Sequence, residues 1–449
     1  MLKIKNLLII CVLIAFQLFF IRALAIEDVE VQAPAMVADV TFQTILDKAK
    51  EHAYDLKIAD FNTLIAKTGV KAARSEYFPK FSAMAGTEYT KNFRDSNETT
   101  VMSIGEAFIN PYTRFQSVMG IMLNYNLFDF GVRRSMLNAA KEDVDIKELE
   151  EQEKWQEIQL TLVDNYSKII MLQKQIDINT EMLAIEEQTL EFVQRLLDAK
   201  EISVTELNDQ VVKVETVKNR ISDLKATLNE TIEWLSFFTG EVYDIKNLSA
   251  QEIEKPDYDV TAFHDYTKSL TWQIREKYIK KKEFELKAAQ RMNYPKVNVY
   301  SKYYWYGSDH DSYSESFKDI GPSNFSVGGY VNWMLFDGMK NRANIQKTSL
   351  ELQQLHVERD KAVAELTTRL AVMRSNLIFL EEQIAGNEKM ISELKTKEKS
   401  IKRLLNKKLV TPLDENRVKM EILQQQIELA KNTTSSVAIV KSMEILTKY

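Results

Sequence analysis

Few residues in this chain are spaced for chemistry, and the ones that pair are the informative ones. The four histidines, His52, His264, His310 and His356, stand singly. His310 lies in the polar stretch SDHDS, which would hold a metal only weakly and reads more simply as a solvated outer loop. The single cysteine, Cys11, sits inside an apolar N-terminal run, so no disulfide, thiolate nucleophile or cysteine metal site is expected beyond it. No glycine-rich phosphate loop or nucleotide motif occurs. The residues therefore support no catalytic constellation, no cofactor and no metal centre. Two acid-bearing motifs occur instead, each twice: Asp129 in LFDFG with Asp337 in LFDG, and Ser203-x-x-Glu206 with Thr411-Pro412-x-Asp414. An Asp between a strand and a helix accepts hydrogen bonds from the free amides of the first turn. Ser-x-x-Glu has capping-box form, with the hydroxyl accepting from the amide three residues on and the acid reaching back. Thr-Pro-x-Asp adds proline at the first helical position. This is the chemistry of helix ends.

The elements that position these motifs are themselves duplicated. AARSEYFPK at 72–80 aligns with AAQRMNYPK at 288–296, LFD at 127 with LFD at 335, and SVTELN at 203 with TPLDEN at 411. The first pair lies 216 residues apart and the other two 208 apart, so the first copy carries eight extra residues between Pro79 and Phe128. Three landmarks in one order point to an internal duplication. Repeat 1 covers about 41–238, repeat 2 about 262–447, and a polar segment, 239–261, joins them.

Each repeat alternates two hydrophobic periods. Residues 41–76 and 262–292 have helical spacing and end at Pro79 and Pro295, which lack the amide donor and force extended geometry before them. Hairpins follow, about 80–128 and 296–336. In the second, Val297, Val299, Tyr303 and Trp305 share one face, and Asn298, Lys302 and Tyr304 the other. Strands near ten residues, aromatic at their ends, suit a soluble hairpin or a tilted membrane strand equally. After LFD the period becomes helical for about 68 residues, roughly 100 Å at 1.5 Å per residue. The seam Leu366, Leu370, Met373, Leu377, Leu380 and Ile384 continues to Leu405, broken at Asn387 and Glu398. The first rod has the same seam from Trp155 to Leu197, broken at Asn165, Asn179 and Glu186. Such rods need neighbours in coiled-coil packing. Each turns at its acid motif into a helix half as long.

The N-terminus supplies a destination. Two lysines, a long apolar run and Ala23-Leu24-Ala25 give residues 1–25 the form of a secretory signal peptide, with an uncleaved anchor as the alternative. Loss of Lys3, Lys5 and Arg22 leaves 56 basic against 65 acidic side chains, a net −9, which disfavours a nucleic-acid partner. No later apolar run reaches 18 residues.

YFPKF and NYPKV before the hairpins, LFDFG and LFDG after them, and the paired tip turns resemble those of the TolC family of outer-membrane efflux proteins. The resemblance covers nearly all of the chain after the leader. It implies a mixed α and membrane-β fold: a homotrimer in which four strands per protomer form a 12-stranded outer-membrane barrel, continued by an α-helical tunnel across the periplasm. It implies no enzyme, but a gated passive exit duct for efflux or type I secretion. The implied partners are outer-membrane lipid, a periplasmic adaptor (membrane fusion) protein and an inner-membrane transporter of ABC, RND or MFS type. Four strands alone cannot close a channel, and open strand edges are not tolerated in lipid, so three copies satisfy both demands. An exported coiled-coil scaffold or adhesin without channel activity is the alternative.

The resemblance also assigns sites. Thr205 and Glu206 fall on first-copy positions that link the helix pairs at the periplasmic mouth, and Asp414 on an acidic ring of the second copy. Lys200, Ser203, Lys408 and Thr411 occupy the tips that meet the adaptor. The chain departs from the pattern at several of these positions. The linking tyrosine and arginine are Leu405 and Val410 here, the next acidic ring position is Arg417, and the usual tip glycines are Lys200 and Lys408. Asp414 with Arg417, or Glu206 with Arg417, could form a mixed ring. Ordinary capping and solvation is the plainer alternative.

Overall fold

The computed structural model describes residues 39–91, 102–104, 107–109, 114–245, 248–256 and 266–448. The leader, Cys11, His264 and most of the first outer loop lie outside the described residues. In chain order the elements are β1 (Asp39–Val40), α1 (Phe42–His52), α2 (Tyr54–Ser75), β2 (Lys80–Tyr89), β3 (Met102–Ile104), β4 (Ala107–Ile109), β5 (Phe115–Phe128), α3 (Val132–Asp198), α4 (Val204–Thr239), β6 (Ser249–Ala250), α5 (Leu270–Arg291), β7 (Lys296–Asp309), α6 (Tyr313–Lys318), β8 (Gly321–Asn332), α7 (Lys340–Asn406) and α8 (Pro412–Thr447). The two rods, α3 and α7, are both 67 residues long. The helices returning from them, α4 and α8, are both 36 residues, and the helices before the prolines, α2 and α5, both 22.

These helices stand in one row. At the tip end the order is α4, α3, α8, α7; at the strand end it is α2, α3, α5, α7. So α3 has a neighbour on both sides throughout, and α7 on one side only. Burial follows: α3 has fifteen buried side chains and α7 six. On α7, Leu370, Leu377 and Ile391 of the heptad seam are buried, while Val357, Ile378 and Phe379, off the seam, are exposed. The pre-proline segment of repeat 1 is not one helix. It breaks at Ala53, whose ψ is 119° and whose side chain is buried. Packing of α1 across α3 and α4 overrides alanine's helical preference there.

Strands β2, β5, β7 and β8 form one antiparallel sheet in that order. The register puts Phe81, Leu123, Ser301 and Val327 in one cross-strand row, and Ala83, Ile121, Tyr303 and Phe325 in another. One face is therefore apolar across all four strands. The other carries Lys80, Asn124, Tyr300 and Gly328 in register. Among the described residues, β2 and β8 are unpaired along their outer edges. β8 stops at Asn332, four residues short of the Phe336 end expected for the second hairpin, because Asn332 pairs with Lys296, the first residue of β7. β5 continues to Phe128 because β7 still faces it through Val297.

The largest core lies halfway along the rods. Val40, Ile45 and Ala49 of the N-terminal belt pack on Leu162, Tyr166 and Ile169 of α3, with Leu235 of α4 and Ile445 of α8. The Tyr166 hydroxyl lies 2.8 Å from the carbonyls of both Val40 and Gln251, at β1 and beside β6, and burial pushes its pKa up to about 12. It ties the two-stranded parallel pair, β1 with β6, to the rod. Tyr166→Phe leaves buried carbonyls without that donor and should cost about 1–3 kcal/mol. Urea unfolding of the purified protein measures this; a midpoint unchanged from the parent would show that the belt does not rest on that hydroxyl.

Candidate functional site: strand joints and helical tips

The two strand-to-rod joints share one backbone device. Phe130 and Gly131, then Gly338 and Met339, each form a pair of consecutive residues with positive φ. The glycine is second in one joint and first in the other. Gly131 and Met339 hold the N-cap positions, and the aspartates act from two residues upstream. Asp129 Oδ2 accepts from the Arg133 amide at 3.0 Å and from Arg133 Nε at 2.9 Å; Asp337 Oδ2 accepts from the Asn341 amide at 2.9 Å. The Asn341 amide, with the Asn293 side chain, lowers the pKa of Asp337. Arg133 also donates to the Glu76 carbonyl and lies over the Tyr77 ring, tying α3 to the end of α2.

At the other end, both rods finish in the same turn. The Lys200 amide donates to Leu197 and Glu201 to Leu196; Lys408 donates to Leu405 and Leu409 to Leu404. This is the Schellman arrangement, whose left-handed residue is usually glycine. Here lysine takes it twice, with φ of 58° and 59°. The caps that follow differ. The Asp414 carboxylate accepts from both the amide (3.0 Å) and the hydroxyl (2.8 Å) of Thr411. Those two bonds, with the field of Arg417, lower its pKa. At the first tip, the Ser203 hydroxyl accepts from the Glu206 amide at 3.4 Å. The reciprocal half expected from Ser-x-x-Glu is not formed, because the Glu206 side chain faces a groove between helices instead.

That groove, about 430 Å³, brings Glu206 and Arg417 together with Glu186, Asp209 and Lys213. Thr205 stays exposed on the outer turn. Two cross-helix bonds that the sequence did not announce close its upper end. Gln210 donates to the Glu186 carbonyl at 3.2 Å and to its carboxylate, and Asn416 donates to Thr189 at 2.9 Å. The one sequence signal was the break of the first seam at Glu186. Higher up, charge replaces these bonds: Lys277 pairs with Glu142 and Asp145, Lys281 with Asp143, and Arg359 with Glu276. Among the described residues no group of three or more His, Cys, Asp or Glu is placed to hold a metal, and no helix is long and apolar enough to cross a membrane.

Residues 45–241 match the outer membrane efflux protein family. No curated protein matches the chain by sequence. The fold matches the outer membrane protein VceC of Vibrio cholerae at 14% identity, over 90% of this chain and 96% of that one, with a TM-score of 0.72. It matches the CmeC outer membrane channel of Campylobacter jejuni at 13% identity, over 90% and 85%, with a TM-score of 0.74. The open-state MtrE outer membrane channel of Neisseria gonorrhoeae matches at 13%, over 90% and 88%, with a TM-score of 0.66. Over residues 45–241 the chain is similar to the outer membrane efflux protein family, and over 90% of its length it has the fold of the outer membrane channels matched above.

Two expectations follow from the tips. A left-handed L-residue costs about 1 kcal/mol or more over glycine, so Lys200→Gly and Lys408→Gly should each slow local amide exchange. Exchange as fast as in the parent would show that the turns are not strained. Asp414 has a folded pKa below its unfolded one, so its cap is fully present above the unfolded pKa and is lost as pH falls through the lowered one. Asp414→Asn should speed exchange at the start of α8 at neutral pH, with the gap from the parent closing in acid. A gap independent of pH would exclude a charged cap.

Proposed function

We propose that three copies of this chain close a single 12-stranded barrel and a helical tunnel, and that the assembly is a gated exit duct for efflux or type I secretion. The observation that carries this reading is an apolar sheet face bounded by two unpaired edges. Lipid offers no hydrogen bonds to those edges, so β8 must meet β2 of another copy. The rods repeat the demand in water: α2 leaves Ile58, Phe61 and Ile65 exposed at one end of the row, and α7 leaves Val357, Ile378 and Phe379 at the other. The matched lengths of the three helix pairs support the internal duplication. Purified from the outer-membrane fraction, the protein should cross-link as a trimer and conduct ions in a planar bilayer. A monomeric, non-conducting product would defeat the proposal.

The gate reading rests on unequal bonding along the rods. Ion pairs bind α5 to α3 near the strands, whereas the tip end is held by the bonds around Glu186 and Asn416 and by Lys397 with Glu421. Threefold symmetry would turn Glu206, Asp414 and Arg417 into rings at the mouth, with Thr205 beside them. Rings of like charge select ions at close quarters. The double variant Glu206→Ala, Asp414→Ala should lower cation selectivity; selectivity equal to the parent would reject the assignment.

The adaptor would meet the tips, where Lys200 and Lys408 project beside the exposed Val204 and Leu409, with Ser203 and Thr411 at the caps. Acidic groups on the adaptor tip would complement them. An inner-membrane transporter of ABC, RND or MFS type would then supply the energy. Charge reversal, Lys200→Glu with Lys408→Glu, should abolish adaptor cross-linking; unchanged cross-linking would remove the lysines from the contact.

A further inference from the structure

The outer loop of the second hairpin folds back over the wall of the sheet. Its helix, α6, is clamped at both ends. Asp309 Oδ1 accepts from the amides of Asp311 and Ser312 at 2.7 and 2.9 Å, and Asp319 Oδ2 accepts from Ser308 at 3.2 Å. Ser316 is fully buried. Its hydroxyl lies 2.8 Å from that of Ser117 and donates to the Gly307 carbonyl at 3.0 Å.

The register tells which side of the wall this is. Thr87, Ser117 and Gly307 form one cross-strand row. Their side chains point the same way as Met119, Ile121, Tyr303 and Trp305, the apolar face. A Cβ on Gly307 would meet the Ser316 carbonyl at 2.1 Å, so the row of small residues is the seat of α6. The seat also lies at a definite height. Ser117 is ten residues from Leu127 at the inner joint, about 23 Å for a strand tilted near 45°, close to the roughly 25 Å apolar band of such walls. Met119 and Trp305 form the last apolar row beneath it. Above them Phe115 contacts both Tyr89, at 5.1 Å between ring centres, and Tyr313 of α6, at 4.8 Å. α6 leaves Tyr313 39% and Phe317 50% exposed, beside the exposed Glu315–Lys318 pair.

We propose that α6 is an interfacial foot. Seated on the lipid side of the barrel wall, it places Tyr313 and Phe317 in the headgroup boundary of the outer leaflet and sets the depth of the barrel. The occupant of this surface is membrane lipid, because the surface continues the apolar face of the sheet and adds the amphipathic aromatics that prefer such a boundary. The inference rests on the barrel reading above, since that reading makes the apolar face the outer one.

Nitroxide labels test both together. Cys11 is the only cysteine, so in a Cys11→Ser chain Phe317→Cys, Ile121→Cys or His310→Cys each give one labelled site. The full-length protein is reconstituted into phosphatidylethanolamine–phosphatidylglycerol vesicles, and collisions with oxygen and with a nickel chelate are compared. Labels at 121 and 317 should favour oxygen, and the label at 310 should favour nickel. Adding Gly307→Val should unseat α6 and shift the 317 label toward the nickel value. A 317 label that favours nickel while 121 favours oxygen overturns the foot alone. A 317 label shielded from both reagents means a protein partner, and also overturns it. A 317 ratio unmoved by Gly307→Val overturns the seat, and a 121 label that favours nickel overturns the barrel reading itself.

Discussion

Unpaired backbone at the two edges of a four-stranded sheet is the constraint from which the rest of this molecule follows. β2 and β8 each present a row of amides and carbonyls with no strand partner among the described residues. In water such edges are satisfied by solvent; beside an apolar face that must be covered, they are not. The helical row has the same incompleteness. α3 is enclosed and α7 is not, although both are rods of equal length, because α3 stands inside the row and α7 at its end. Strands and helices keep the same lateral order, so whatever completes one row completes the other. That common order leaves both rows open on the same two sides.

Between these open sides the protomer distributes its cohesion unevenly. The belt core at mid-height is apolar and closed, with Tyr166 as its polar clamp. Toward the strands, lysines of α5 are held by acids of α3; partly exposed pairs of this kind contribute little singly and more as a cluster. Toward the tips, polar side chains interrupt the seams and the bonds become few. The strand end of the rods is therefore held by more ion pairs than the tip end. The lysines held in left-handed geometry sit at that tip end.

Much of this was legible in the residues. The rods, their seams, the stop at each proline and the two faces of the second hairpin all follow from periodicity, which reports what one element buries. The misses share a cause. Ala53 breaks a helix that its own propensity would continue, β8 ends where β7 runs out, and Glu206 leaves its cap for a groove lined by Arg417. Gln210 and Asn416 look like surface residues in a linear reading, and become cross-helix bonds only when three helices meet. α6 is a six-residue helix inside a stretch that reads as polar loop.

By itself the sequence determined the kinds of element and the helix-end role of Asp129, Asp337 and Asp414, because hydrogen-bonding chemistry at a helix terminus involves residues three or four apart. Only the tertiary structure decided which face of the sheet is continuous across four strands, which edges stay open, which face of the sheet α6 covers and which acid shares a groove with which arginine. Those are relations between segments tens to hundreds of residues apart. They are set by register and by packing order, to which no local spacing of residue types is sensitive.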